Sequence, residues 1–343
     1  MRPLLLCALL LVLVVVPASS ATTPSTTTPS PARVIAFYYP WYGTTATDGV
    51  YQHWGQNGHT PPNDIASAFY PARGPYSSDS KPVVQAQMDE IRAAGIDEIA
   101  SSWWGQSSQE NQRLPLVMAA ARRDGIQVAI HLEPYPNRTI QSIETDVAYL
   151  KNLGITSFFV YQALEAIPVG QWQAVMPALH AGGATIYAQT SEIGAAAAAG
   201  FDGVYTYDIV TYGGNMFARY CAEAHKLHLL CAPSVGPGYN AKRADGDTHL
   251  KPRRDGGTYD AMWKAAISAQ ADAVTITSFN EWHEGTQIEP AGPHRGSVRY
   301  QTYDGAWGLH GIDAEYAYLF RTRYWADSFN SAVAPAQTGT RSK

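Results

Sequence analysis

Glu281 and Glu284 stand three positions apart within Ser278-Phe279-Asn280-Glu281-Trp282-His283-Glu284-Gly285-Thr286-Gln287-Ile288-Glu289-Pro290. The segment leaves an apolar, strand-like run, Ala273-Val274-Thr275-Ile276-Thr277. Carboxylates framed by Trp and His are poor material for a core, because a buried charge is costly unless paired or employed. They suit acid/base chemistry on a sugar. Glycoside cleavage needs one acid to protonate the leaving oxygen and a second carboxylate to assist at the anomeric carbon.

Spacing alone leaves the stereochemistry open. In an extended chain residues three apart lie about 10 Å from each other, whereas a turn brings them far closer. Retaining enzymes of the ordinary kind hold their carboxyls about 5–5.5 Å apart and inverting enzymes about 6.5–9.5 Å. Other chemistries find less support. His283-Glu284 lacks the second His of His-Glu-x-x-His, so no metal site is expected, and no cofactor. No Gly-x-Ser-x-Gly occurs to present a serine nucleophile.

The elements that must position these residues alternate regularly. Strand-like runs rich in Val, Ile, Tyr and Phe fall at 34–40, 98–104, 127–132, 157–161, 184–189, 203–207, 228–233 and 273–278. Helical spacing falls at 83–94, 114–124, 140–153, 170–181, 191–199, 215–226, 258–270 and 314–324. Gly95, Gly125 and Gly154 follow the first three helices as C-caps. Eight such pairs predict a single-domain α/β fold, a (β/α)8 TIM-type barrel. A doubly wound open sheet is the alternative, but no Gly-x-Gly-x-x-Gly follows the first strand.

A barrel of this kind works at the C-terminal ends of its strands. Polar and aromatic residues gather there. Strand 1 ends in Tyr38-Tyr39-Pro40-Trp41-Tyr42-Gly43, with His53 and Trp54 in the following loop. Strand 2 ends in Trp103-Trp104, strand 3 in His131-Leu132-Glu133-Pro134-Tyr135, strand 4 in Tyr161-Gln162 and strand 6 in Tyr205-Thr206-Tyr207. Strand 7 runs into Ser234-Val235-Gly236-Pro237-Gly238-Tyr239. Each has a plain packing explanation, and His131 reads first as a structural histidine. Their convergence on one rim is what suggests a site.

Composition sets further bounds. Net charge is −5 without a basic stripe, which argues against nucleic acid as a partner. Arg2, the apolar run 4–16 and Pro17-Ala18-Ser19-Ser20-Ala21 have the form of a signal peptide at 1–21. The run is shorter than the ~20 residues of a membrane span, so stable insertion is not expected. Secretion is the expectation, with an uncleaved anchor as the alternative. Residues 22–32 form a Thr/Ser/Pro-rich linker, 33–328 the folded domain and 329–343 a loose tail. A monomer is expected. Cys221 and Cys231 either bridge or remain as buried thiols.

The sequence resembles glycoside hydrolase family 99, the endo-α-1,2-mannosidase and endo-α-mannanase family. The likeness lies in Phe37 through Gly43, His131 through Tyr135, Gly200-Phe201-Asp202-Gly203-Val204-Tyr205, Pro233 through Tyr239, and Ser278 through Pro290. It implies a retaining barrel enzyme that cuts within an α-mannose chain, its partner being an α-mannose-containing oligosaccharide or polysaccharide. It implies Glu284 as general acid/base and Glu281 assisting attack by the substrate 2-hydroxyl through a 1,2-anhydro sugar. Glu133 and Tyr239 resemble residues lining the reacting mannose. Tyr39, Trp41, His53, Trp54, Trp103, Trp104, Tyr135, Tyr205, Asn280, Trp282 and His283 are further candidates for substrate contact. The stretch 240–254 is polar and charged where the family has Arg-Pro-Trp character, which leaves the outer subsites open. A barrel glycosidase using ordinary double displacement on another α-glycan, and an inactive glycan-binding barrel, are the alternative readings.

Overall fold

The computed structural model describes residues 33–333. The expected signal peptide, the linker and residues 334–343 lie outside the described residues.

The strands are β1 Arg33–Tyr38, β2 Glu98–Trp103, β3 Gln127–Leu132, β4 Ser157–Val160, β5 Thr185–Gln189, β6 Gly203–Tyr205, β7 Leu230–Ala232, β8 Ser234–Val235 and β9 Ala273–Ile276. All pair in parallel, in the order β7-β6-β5-β4-β3-β2-β1-β9-β8. The helices are α1 Thr45–Asp48, α2 Lys81–Ala93, α3 Gln109–Arg123, α4 Ile140–Asn152, α5 Val169–His180, α6 Ile193–Ala199, α7 Gly214–Lys226, α8 Gly257–Ser268, α9 Ile312–Glu315 and α10 Ala317–Val333. This is the expected barrel. Its strands are apolar and mostly buried because a parallel sheet is covered by helices on one side and by its own filling on the other.

The seventh predicted strand is corrected. It comes out as two pieces separated by Pro233, which has no N–H to give to a ladder. β7 pairs with β6, and β8 pairs with β9. One interrupted stave thus makes the seam of the barrel. His228, expected to begin that strand, has φ 61 and belongs to the preceding turn.

The glycines read as helix ends behave as read. Gly95, Gly125 and Gly154 have φ of 74, 70 and 91, a region cheap only for glycine. The final helix is longer than expected. α10 continues through Val333, and Phe329 is buried against Trp263 of α8, so residues 329–333 belong to the helix and not to a tail.

Cys221 of α7 and Cys231 of β7 form a disulfide. It closes a loop of sequence separation 10, for which chain entropy gives about 2–3 kcal/mol of stabilisation. The double variant Cys221→Ala/Cys231→Ala is expected to lose about that much in urea unfolding. An unchanged midpoint would show that the bridge does not constrain the unfolded chain as argued.

Candidate active site

Beyond β9 the chain does not leave the barrel; it is stitched to the end of β1. The ladder between the two strands ends at the pair Ala36 and Ile276. Phe279 N–H then donates to the Phe37 carbonyl at 2.9 Å. The fully buried Asn280 continues in place of a backbone. Its Oδ1 accepts from Tyr39 N–H at 2.7 Å and its Nδ2 donates to the Tyr39 carbonyl at 3.0 Å. Tyr42 adds two bonds, donating to the Asn280 carbonyl at 3.1 Å and accepting from Trp282 N–H at 3.0 Å.

The segment then folds back on itself. Ser278 N–H donates to the Thr286 carbonyl at 2.9 Å and Ile288 N–H returns to Ser278 at 3.0 Å. Gly285 makes the reversal with φ 63, and a Cβ there would lie 3.1 Å from the Asn240 carbonyl. Glu281 and Glu284 therefore sit in a tight loop, not on an extended chain.

Their surroundings differ. Glu281 is 2% exposed, and its Oε1 accepts from His283 N–H at 3.0 Å. Burial, and next the charge of Glu284, push its carboxyl well above the ordinary range. Glu284 is partly exposed and lines a cleft of about 290 Å³ with Tyr161, Tyr207, Asp208, Tyr239, Asp247 and His249. Burial raises its carboxyl too, and the hydroxyl of Tyr207, 3.3 Å from Oε2, pulls the other way. Glu133 adds its charge to both. Ionisation of each carboxyl is thus disfavoured, and the two titrations are coupled.

Several predicted residues come to this region. The buried Tyr39 hydroxyl bonds to Tyr207 and feels the charges of Glu133, Glu284 and Glu281. Glu133 is 5% exposed, accepts from Ser102 Oγ at 2.8 Å, and has His131 Nδ1 3.0 Å away. Trp104 reaches the same Ser102 Oγ at 3.1 Å. Trp41 is half-buried and stacks on His53, with ring centroids 4.6 Å apart. His283 Nε2 meets the His53 carbonyl at 2.5 Å. Burial lowers both imidazoles, to about 3 for His53 and about 4 for His283, so both are neutral. Tyr239 lines the cleft, its hydroxyl 2.7 Å from Asp247.

The sequence profile described as glycosyl hydrolase family 99 matches residues 30–331. The chain belongs to glycosyl hydrolase family 99. It is accordingly a glycoside hydrolase. The "Glycoprotein endo-alpha-1,2-mannosidase-like protein" of Danio rerio is 32% identical, over 86% of this chain and 77% of its own. The "Glycoprotein endo-alpha-1,2-mannosidase" of Mus musculus is 30% identical, over 86% of this chain and 74% of its own. The solved structure of the GH99 endo-alpha-mannosidase from Bacteroides thetaiotaomicron matches with a TM-score of 0.79 at 30% identity, covering 88% of this chain and 99% of that one.

Other expected contacts of this family 99 chain spend their polar atoms on bonds within the fold. Trp54 is buried, stacks on Tyr42 and donates to the Tyr76 carbonyl at 2.8 Å. Trp103 is buried and donates to Asn111 of α3 at 2.9 Å. Tyr205 fills the barrel interior, bonding His131 Nε2 at 3.0 Å. Tyr135 turns its hydroxyl to Ser142 and Asp146 of α4. Asn280 and Trp282 are buried parts of the stitching itself. These residues position the site; the large apolar rings are drawn to burial more strongly than to the rim.

Sequence reasoning passed over other residues. Glu289 is fully buried and accepts from Tyr76 at 2.7 Å, Trp282 Nε1 at 2.8 Å and Gln87 at 2.8 Å, with Arg73 Nε at 3.2 Å. Arg253 donates to the Gly285 and Gln287 carbonyls at 2.9 and 2.7 Å, its guanidinium over Phe69, Tyr303 and Tyr318. The polar stretch 240–251 builds one wall of the cleft. Tyr239 and Lys251 pair antiparallel at its base, and Asn240 N–H holds the Glu284 carbonyl at 2.7 Å. The charged character of that stretch was its only sequence signal.

The raised carboxyls carry a stability consequence. A carboxyl raised on folding favours the folded state fully below its unfolded value of about 4.3 and loses that contribution as pH climbs towards the folded value. Glu281→Gln removes a carboxyl whose ionisation the fold opposes. The variant is expected to be more stable than the parent at about pH 8, by on the order of 1 kcal/mol, and the gap is expected to shrink near pH 4. Thermal unfolding at both pH values measures this; no gain at the higher pH would mean that folding does not oppose ionisation of Glu281.

Proposed function

We propose that this chain is a retaining, endo-acting α-mannosidase that hydrolyses internal linkages of a mannan or mannose-rich glycan. The names of its relatives in vertebrates and Bacteroides support the substrate class. One observation carries the mechanism: two carboxyls on one tight loop oppose each other's ionisation, and Glu284 of the pair opens on the cleft. A pair sharing one proton offers an acid and a base at the same moment.

In this mechanism Glu281 takes the proton of the substrate 2-hydroxyl as O2 attacks C1. The bond from C1 to the leaving oxygen breaks, and Glu284 gives that oxygen its proton. A 1,2-anhydro sugar results. Glu284 then takes a proton from water, whose oxygen opens the three-membered ring at C1, while O2 recovers its proton from Glu281. Two inversions at C1 leave the configuration retained. An α-mannoside suits this route because O2 and the leaving group are trans and can stand diaxial. The protein's contribution is positioning and proton management. The Cys221–Cys231 bridge suits an oxidising compartment and supports the reading of a secreted enzyme.

Defined α-1,2-, α-1,3- and α-1,6-linked manno-oligosaccharides test the assignment, with release of an oligosaccharide as the expected result. Glu284→Gln and Glu281→Gln are each expected to lower turnover roughly 10²–10⁴-fold while glycan binding stays measurable. Normal cleavage of a substrate lacking the 2-hydroxyl would overturn the internal displacement in favour of ordinary double displacement.

A further inference from the structure

The one side chain that hydrogen-bonds the Glu284 carboxyl among the described residues belongs to Tyr207, just beyond β6. Tyr207 is buried and has φ 52, a region that residues with a Cβ seldom occupy. The conformation is enforced from the seam of the barrel. Its N–H donates to Ser234 Oγ at 2.8 Å, and its carbonyl accepts from Thr277 Oγ1 at 2.9 Å. Ser234 is fixed in turn by Thr206 Oγ1 at 2.9 Å and Thr275 Oγ1 at 2.7 Å. The ring stacks on His131, with centroids 5.2 Å apart. The hydroxyl so placed touches Glu284 Oε2 on one side and the Tyr39 hydroxyl on the other.

We propose that Tyr207 is a positioning residue for the reaction, the middle link of a Tyr39–Tyr207–Glu284 hydroxyl chain that sets when Glu284 gives up its proton. This rests on the reading of Glu284 as the acid/base. Each hydroxyl has one proton. When Glu284 is ionised, Tyr39 donates to Tyr207 and Tyr207 donates to the carboxylate. When Glu284 is protonated the chain can run backwards, from carboxyl to Tyr207 to Tyr39. Both states keep a bond, and the bond to the charged state is the stronger. The chain therefore favours ionisation of Glu284, against everything else around it.

The rest of that surrounding is acidic or neutral, except for Lys251, whose ammonium donates to the Ile209 carbonyl at 2.7 Å. Glu281 shares its loop, Glu133 lies beyond β3, Asp208 follows Tyr207, and Asp245 and Asp247 stand on the wall. Tyr161 beyond β4, with Tyr239 and His249 on the wall, completes the cleft around it. Burial and these carboxylates together would hold the proton on Glu284 too firmly for it to act as acid and then base within one cycle. The phenol lowers that barrier without placing a cation beside the pair, which would leave Glu284 ionised and useless as an acid.

The test is Tyr207→Phe, which keeps the ring and its packing. The alkaline limb of kcat is expected to move up by about 0.5–1 pH unit, with turnover at neutral pH reduced about tenfold. Tyr39→Phe is expected to move the limb the same way by less. A ¹³C NMR titration of protein labelled at the Glu carboxyl carbons reads the same group without activity, with the Glu284 signal identified by its loss in Glu284→Gln. An unmoved titration in Tyr207→Phe overturns the proposal even if activity falls. A titration that moves while the kcat limb stays in place upholds the hydrogen-bond chain and instead removes Glu284 from its assigned role.

Discussion

The site depends on one buried amide. Where the backbone pairing of β1 and β9 stops, the side chain of Asn280 carries it on, donating and accepting with Tyr39 as a peptide unit would. A buried amide with its partners in place resists displacement strongly, because any other arrangement leaves polar atoms unpaired in a dry interior. Asn280 thus locks the first strand-end loop to the loop that bears Glu281 and Glu284. Tyr42 and Glu289 extend the same lock, the first through backbone atoms of Asn280 and Trp282, the second through the Trp282 indole. The rotation of Glu281 and Glu284 relative to the barrel mouth follows from these bonds.

Charge is distributed to match. Three arginines of this region are engaged in the scaffold. Arg73 lies between Glu289 and Glu90, Arg113 holds Asp48, Asp79 and the Pro40 carbonyl, and Arg253 stands in an aromatic box against Gly285 and Gln287. His53 and His283 are kept neutral by burial. With these cations held in the scaffold, neither Glu281 nor Glu284 has an Arg or Lys ion-pair partner among the described residues. Burial first, and then neighbouring carboxylates, raise both carboxyls. A cation beside Glu284 would hold its carboxyl ionised.

Much of this was legible in the chain. Apolar runs of strand length, glycines after helical stretches and strand-end clusters of Tyr, Trp and Glu lead to the barrel and to its working rim. Misreadings have local physical causes. Trp54 and Trp103 have the right sequence position for sugar stacking, yet burial of their large rings outweighs exposure, and each indole N–H finds a protein acceptor. Pro233 divides a strand that its apolar neighbours describe as continuous. Tyr207 was visible as one of several strand-end tyrosines, but only its backbone twist and two flanking hydroxyl anchors aim it at Glu284.

The residue order by itself determined the barrel and the place of two carboxyls on the loop that follows its last strand. Those follow from hydrophobic period, glycine placement and the cost of burying charge, all properties read along a single strand of chain. Only the tertiary structure decided which carboxyl is deep and which is open, which aromatics line the cleft and which hold it up, and where Tyr207 points. Those outcomes depend on bonds between residues far apart in sequence, such as Asn280 to Tyr39 and Tyr207 to Ser234, and on burial that no local pattern encodes. Protonation belongs to the second group as well, because it is set by the sum of charges and desolvation that the folded barrel brings to one point.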